Sequence, residues 1–109
     1  MAFVIKKNDT RPYLQAQFFQ PDGVTPLVLS AATNVYIIVS VNPSGAPVFR
    51  KACLITSAAS GIVEYRWVAG DTATSGSYKY EFEINWNDGT KQTIPADTYF
   101  DLSIVDDLD

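Results

Sequence analysis

The segment from Gly61 to Pro95, GIVEYRWVAGDTATSGSYKYEFEINWNDGTKQTIP, constrains the fold more than any other part of the chain. Val63, Tyr65 and Trp67 alternate with Glu64 and Arg66. Further on, Tyr78, Tyr80, Phe82, Ile84 and Trp86 alternate with Lys79, Glu81, Glu83 and Asn85. A period of two belongs to a strand with one buried face, whereas a helix would repeat every 3.6 residues. The small residues from Ala69 to Ser75 separate the two strands. Asp88-Gly89 then suits the positive φ values of a tight hairpin into Lys91 to Ile94, where Pro95, lacking an amide donor, ends the pairing. Strand, corner, strand and hairpin in that order predict an antiparallel β-sandwich, with Tyr80, Phe82, Ile84 and Trp86 inward and Glu81 and Glu83 on a solvated outer face.

The rest of the chain reads the same way. Phe3 to Lys7 forms a first strand, turned by Asn8-Asp9-Thr10. Tyr13 to Phe19 places Leu14, Ala16 and Phe18 on one face before the turn at Gln20 to Gly23. Thr33 to Val41 carries Val35, Ile37, Val39 and Val41 on one face and reads as a central strand. After the break at Asn42-Pro43-Ser44-Gly45, Val48 to Thr56 forms another strand, with Val48, Ala52 and Leu54 inward if its register is unbroken. Tyr99 to Val105 is the last. The expectation is therefore an all-β antiparallel β-sandwich of about eight strands, one domain spanning 1–109. A chain of this length buries about 65% of its unfolded surface, enough for one core without metal or cross-link. A content of 47% hydrophobic against 18% charged residues argues against disorder. The single cysteine, Cys53, cannot form an intrachain disulfide and reads as a packing group.

Chemistry is thinly represented. Histidine is absent, which removes the usual neutral-pH base and the commonest transition-metal ligand. Glu81 and Glu83 share a strand face, but their alternation with aromatic residues favours a solvated face over an acid–base pair. Gly70 to Gly76 resembles a phosphate loop only superficially: it lacks the Gly-Lys-Ser/Thr ending and a following helix. It reads instead as the corner before a strand, with Tyr78 a candidate tyrosine-corner residue bonded back to upstream backbone. The acidic end, Asp97, Asp101, Asp106, Asp107 and Asp109, contains no D-x-D-x-D-G calcium loop. No catalytic, metal or cofactor residue is expected, and the reading is non-enzymatic. A formal net charge of −4 opposes nucleic-acid binding. No run approaches the ~18 apolar residues of a membrane span, and MAFVIKKNDT lacks a signal-peptide pattern, so synthesis in the cytoplasm is expected.

Four motifs in this order, IKKNDTRPYL from Ile5 to Leu14, WVAGDTATSGSYKYEFE from Trp67 to Glu83, NDGTKQTIP, and YFDLSIVDDLD at the end, give the chain a resemblance to the immunoglobulin-like N-terminal domain of bacteriophage baseplate upper proteins. The resemblance implies an all-β, immunoglobulin-like antiparallel β-sandwich and a virion protein that anchors to its neighbours. The expected function is accordingly a virion structural module, tail or baseplate first, present in multiple symmetric copies against other virion structural proteins, and made in the host cytoplasm. Capsid decoration is one alternative. A carbohydrate-binding or host-adhesion module using Tyr13, Tyr36 or Tyr99 as sugar platforms is another, with a host glycan disfavoured. Loops and terminal strands supply the candidate partner contacts: Phe3, Ile5, Lys7, Asp22, Asn42, Ser44, Asp106, Asp107 and Asp109.

Overall fold

The structure is a computed structural model, and it describes residues 3–42, 45–96 and 98–108. Among these, nine strands form two sheets: β1 (Phe3–Lys6), β2 (Leu14–Gln17), β3 (Ala32–Ser40), β4 (Phe49–Ala52), β5 (Leu54–Ser57), β6 (Ile62–Tyr65), β7 (Gly76–Trp86), β8 (Lys91–Ile94) and β9 (Phe100–Val105). The larger sheet runs β1-β9-β7-β3-β4 and the smaller runs β2-β6-β5. The protein is an immunoglobulin-like β-sandwich: the alternation predicts the sandwich, and the resemblance its immunoglobulin-like form.

β7 is the spine of the larger sheet. It pairs antiparallel with β3 along one edge, from Ala32↔Trp86 to Ser40↔Lys79. Its other edge is shared: β9 covers Gly76 to Tyr80 and β8 covers Phe82 to Asn85. β1 closes the sheet by running parallel to β9, with Phe3 level with Leu102 and Lys6 level with Val105.

The core draws on the predicted inward faces. Leu14 and Phe18, then Val35, Ile37 and Val39, then Val63, Tyr65 and Trp67, then Phe82 and Ile84 are all buried, and β9, for which the sequence named no face, adds Leu102 and Ile104. Phe82 is 1% exposed and meets Phe18 from the opposite sheet edge-on, with ring centroids 5.2 Å apart. Val41 departs from the expectation: it follows the last β3 residue and is exposed.

The expected single strand from Val48 to Thr56 is two strands in different sheets. The chain leaves β4 and enters β5 at Cys53, whose amide still donates to the Val35 carbonyl at 2.8 Å. The switch breaks the register, so Val48 and Leu54 face solvent while Phe49 and Ile55 pack on the core. Phe49 stacks on Tyr65 across the sandwich edge at 5.9 Å.

The hairpin after β7 also differs from a two-residue turn. Gly89 has φ 88°, and Asp88 is not among the residues with positive φ. The Trp86 amide donates to Thr90 O at 2.9 Å and the Gly89 amide to Trp86 O at 3.1 Å. That is a three-residue loop in which only the glycine must be left-handed, and Asp88 caps it by accepting from the Thr90 amide at 2.9 Å.

Candidate functional site

Because alternate residues of β3 and β7 point into the core, the outer face of the larger sheet presents Tyr36, Ile38 and Ser40 beside Lys79, Glu81 and Glu83. Glu83 is not solvated as expected from the sequence; it is 9% exposed. The Arg50 guanidinium of β4 pairs with its Oε1 while lying 4.2 Å over the Tyr36 ring, and Lys91 of β8 stands 3.8 Å from its Oε2. Asn85 adds a hydrogen bond to Asn34 Oδ1 at 2.8 Å. Glu83 is thus covered by long side chains from the flanking strands, which its position in its own strand does not reveal. At the other end of the face Lys79 pairs with Asp101 of β9. The hydrogen bond and charge of Lys79 hold the Asp101 carboxyl below its usual range.

Between these two paired groups the face is hollowed. A depression of about 110 Å³ lies over Ile38, Ser40 and Glu81, with Pro47 of the β3–β4 connection on one side and Tyr99 of the β8–β9 connection on the other. A second depression, of about 320 Å³, lies on the far side of Lys79, over Ser77, Asp101 and Ser103. Glu81 lines the first hollow and is half-buried; among the described residues it has no ion-pair or hydrogen-bond partner for its carboxylate.

No family model matches the chain, and no curated protein matches it. Among solved structures it is similar to CopC from Methylosinus trichosporium OB3b, with a TM-score of 0.54 and 9% identity over 99% of this chain and 87% of that chain. At that identity the likeness is one of fold. It nevertheless corrects the functional expectation. The matching structure is CopC and not a component of a bacteriophage particle, so the virion role is dropped, together with its capsid-decoration and host-adhesion alternatives.

Among the described residues, the predicted contact residues do not form one surface. Ile5 is 2% exposed and belongs to the core, which removes it from the set; Phe3 is half-buried against Trp67, with centroids 5.8 Å apart. Lys7 is half-buried and its amide donates to Val105 O at 2.8 Å. Asp22 is exposed, but its carboxylate is engaged locally: the Thr25 hydroxyl donates to it at 2.6 Å and the Val24 and Thr25 amides at 2.9 Å each, bonds that lower its pKa in that order of weight. Asn42 is exposed, and its carbonyl accepts from Ser40 Oγ at 2.7 Å. Asp106 and Asp107 are exposed, and Ser44, Asp97 and Asp109 lie outside the described residues. The Asp22 turn precedes β3 and Asn42 follows it, so they flank opposite ends of that strand.

The aromatic platforms are likewise separated. Tyr13 sits with Arg11 and Arg66, whose guanidinium carbons lie 5.2 and 5.3 Å from its ring, beside the smaller sheet. Tyr36 is covered by Arg50 on the larger one. Of the three, Tyr99 borders the hollow.

Another cluster of ionisable groups lies at the edge of the sandwich. Asp71 accepts hydrogen bonds from the Tyr65 hydroxyl, from Lys51 Nζ at 2.6 Å and from the Val68 amide at 2.9 Å. Burial, followed by the bond to Asp71 and its charge, pushes the Tyr65 phenol far above its ordinary range. Burial pushes the nearby Cys53 thiol up to about 12. A protonated thiol and a protonated phenol at neutral pH are poor nucleophiles and poor bases, so the cluster closes the sandwich edge rather than equipping it for chemistry. Tyr78 fulfils its sequence reading: its hydroxyl donates to Thr74 O at 2.7 Å and fastens the corner. Thr72, 1% exposed, donates to Asp9 O at 2.8 Å and ties the same corner to the β1–β2 turn.

Proposed function

We propose that this chain is a non-catalytic binding domain that holds a polypeptide partner on the outer face of its larger sheet. The observation that carries the reading is the hollow over Ile38, Ser40 and Glu81, set between Pro47 and Tyr99 on a face whose neighbouring charges are already paired across strands. Such a face is pre-organised: Arg50, Glu83, Lys79 and Asp101 are held by one another and lose little freedom when a partner lands. The lack of histidine and the protonated state of Cys53 and Tyr65 favour binding over catalysis. The net charge of −4 and the scattered aromatic rings favour a polypeptide over a nucleic acid or a sugar.

The test is selection of binders from a random peptide library displayed by messenger-RNA fusion, followed by mapping on the isotope-labelled domain by amide chemical-shift perturbation. The reading expects the strongest binders to shift Ile38, Glu81 and Tyr99. Binders that map instead to the smaller sheet, around Tyr13 and Arg66, would overturn it.

A further inference from the structure

Among the described residues, the carboxylates of buried and half-buried residues come with partners, with one exception. Glu64 has Arg66 at 2.9 Å, Asp71 has Lys51 at 2.6 Å, and Glu83 has Arg50 and Lys91. Glu81 is half-buried and has none, and the neighbouring Lys79 is already engaged by Asp101. Partly desolvating a carboxylate without a counter-charge is unfavourable, and a cation supplied from outside would relieve it. Lys79 lines the same hollow, its ammonium drawn away to Asp101, and the remaining groups around Glu81 suit one kind of cation. Ile38 and Pro47 offer apolar surface to a methylene shaft, and the ring of Tyr99, 45% exposed, borders the same hollow. The space, about 110 Å³, admits one side chain and is well short of the roughly 300–1,000 Å³ of small-molecule sites. No group of three potential metal ligands comes together among the described residues, so Glu81 has no companions for a metal ion.

From this geometry we infer that the Glu81 hollow is the seat for a single lysine or arginine side chain presented by the bound polypeptide. The inference rests on the binding-face reading above and gives it a chemistry: the partner carries a basic anchor. The acidic net charge of the chain favours the approach of such a segment before contact is made.

The probe is N-acetyl-arginine methylamide, titrated into the isotope-labelled chain and compared with its neutral citrulline counterpart. The arginine compound is expected to give saturable millimolar shifts at Ile38, Glu81 and Tyr99. The citrulline compound, and the arginine compound with Glu81→Gln, should bind about tenfold more weakly, the loss of one charge-assisted contact. Glu81→Gln keeps the side chain's shape, and an unchanged spectrum away from the hollow checks that it folds. Shifts indifferent to Glu81→Gln, or spread equally over Asp106 and Asp107, overturn the inference. If library peptides map to this face yet carry no basic residue and bind Glu81→Gln unchanged, the cation seat fails while the binding face stands. If no peptide maps there, the binding face itself fails.

Discussion

Replacing Asp71 with alanine removes one acceptor from three donors, and the structure says how unequal the three losses are. Lys51 has a side chain 40% exposed and turns out to water at little cost. The Val68 amide belongs to an exposed residue and is rehydrated in part, a loss of about 0.5–1.5 kcal/mol. The Tyr65 hydroxyl belongs to a side chain 3% exposed, packed edge-on against Trp67 with centroids 5.1 Å apart, and it has nowhere to go. An unsatisfied buried hydroxyl costs about 1–3 kcal/mol. Together these give about 3 kcal/mol for Asp71→Ala, or about 12 °C in Tm for a domain of this size. Asp71→Asn keeps an acceptor oxygen and should lose about half as much, and Lys51→Ala under about 1 kcal/mol. Urea unfolding followed by tryptophan fluorescence suits the measurement, since Trp67 touches Tyr65. If Lys51→Ala cost as much as Asp71→Ala, the ion pair and not the stranded phenol would dominate, and the reasoning would be wrong. A loss below about 1 kcal/mol for Asp71→Ala would mean that water reaches the site.

Three further outcomes are expected. Gly61 has φ 69°, and an added Cβ would stand 2.5 Å from Leu27 O and 2.8 Å from Phe18 O, whereas Gly89, φ 88°, faces open space. Gly61→Ala should therefore cost at least about 3 kcal/mol and Gly89→Ala about 1 kcal/mol, read from denaturation midpoints. Tyr78→Phe keeps the ring and loses the bond to Thr74 O, so Tm should fall by about 4 °C, for about 1 kcal/mol; no change would show that the corner is held elsewhere. The Cys53 thiol titrates near 9.0 when unfolded and about 12 when folded. Its contribution is thus fully present below pH 9 and declines as pH rises toward 12, because only the unfolded chain releases the proton. The stability gap between the native chain and Cys53→Ala should narrow over that interval in pH-dependent melting curves.

The parts of the fold that were legible in the sequence are those governed by one strand at a time. The alternation of Val35, Ile37 and Val39, and of Phe82 and Ile84, names core residues because a single buried face is enough to write the pattern. Tyr78 was legible because its partner lies four residues away. The sheet switch at Cys53 was not, since Val48 to Thr56 has β-strand composition throughout and only packing against two different sheets reveals the break. Glu83 was misplaced for a related reason: Arg50 and Lys91 cover it from strands 33 and 8 residues away, and pairing register is what brings them there. Tyr99 entered the sequence reading only as a sugar platform and Ile38 not as a contact at all, because separate segments converge on Glu81 without a shared motif. The function expected from the resemblance failed where the β-sandwich succeeded, which follows from many functions sharing one fold.

β1 and β9 lie side by side in the same direction, Phe3 level with Leu102 and Lys6 level with Val105. A pull that enters the chain at Phe3 and leaves it at Val105 drives the two strands lengthwise past each other, so their cross-links are loaded in parallel and must give way together. An antiparallel pair pulled the same way would open one link at a time, like a zipper. The β7–β8 hairpin has that second geometry, with the Trp86 to Thr90 loop at its closed end. The domain is therefore mechanically anisotropic: stiff to tension along its first and last strands, and easily peeled by a force applied at Ile94. Resistance of this kind is set by the rate of unfolding under load and not by equilibrium stability.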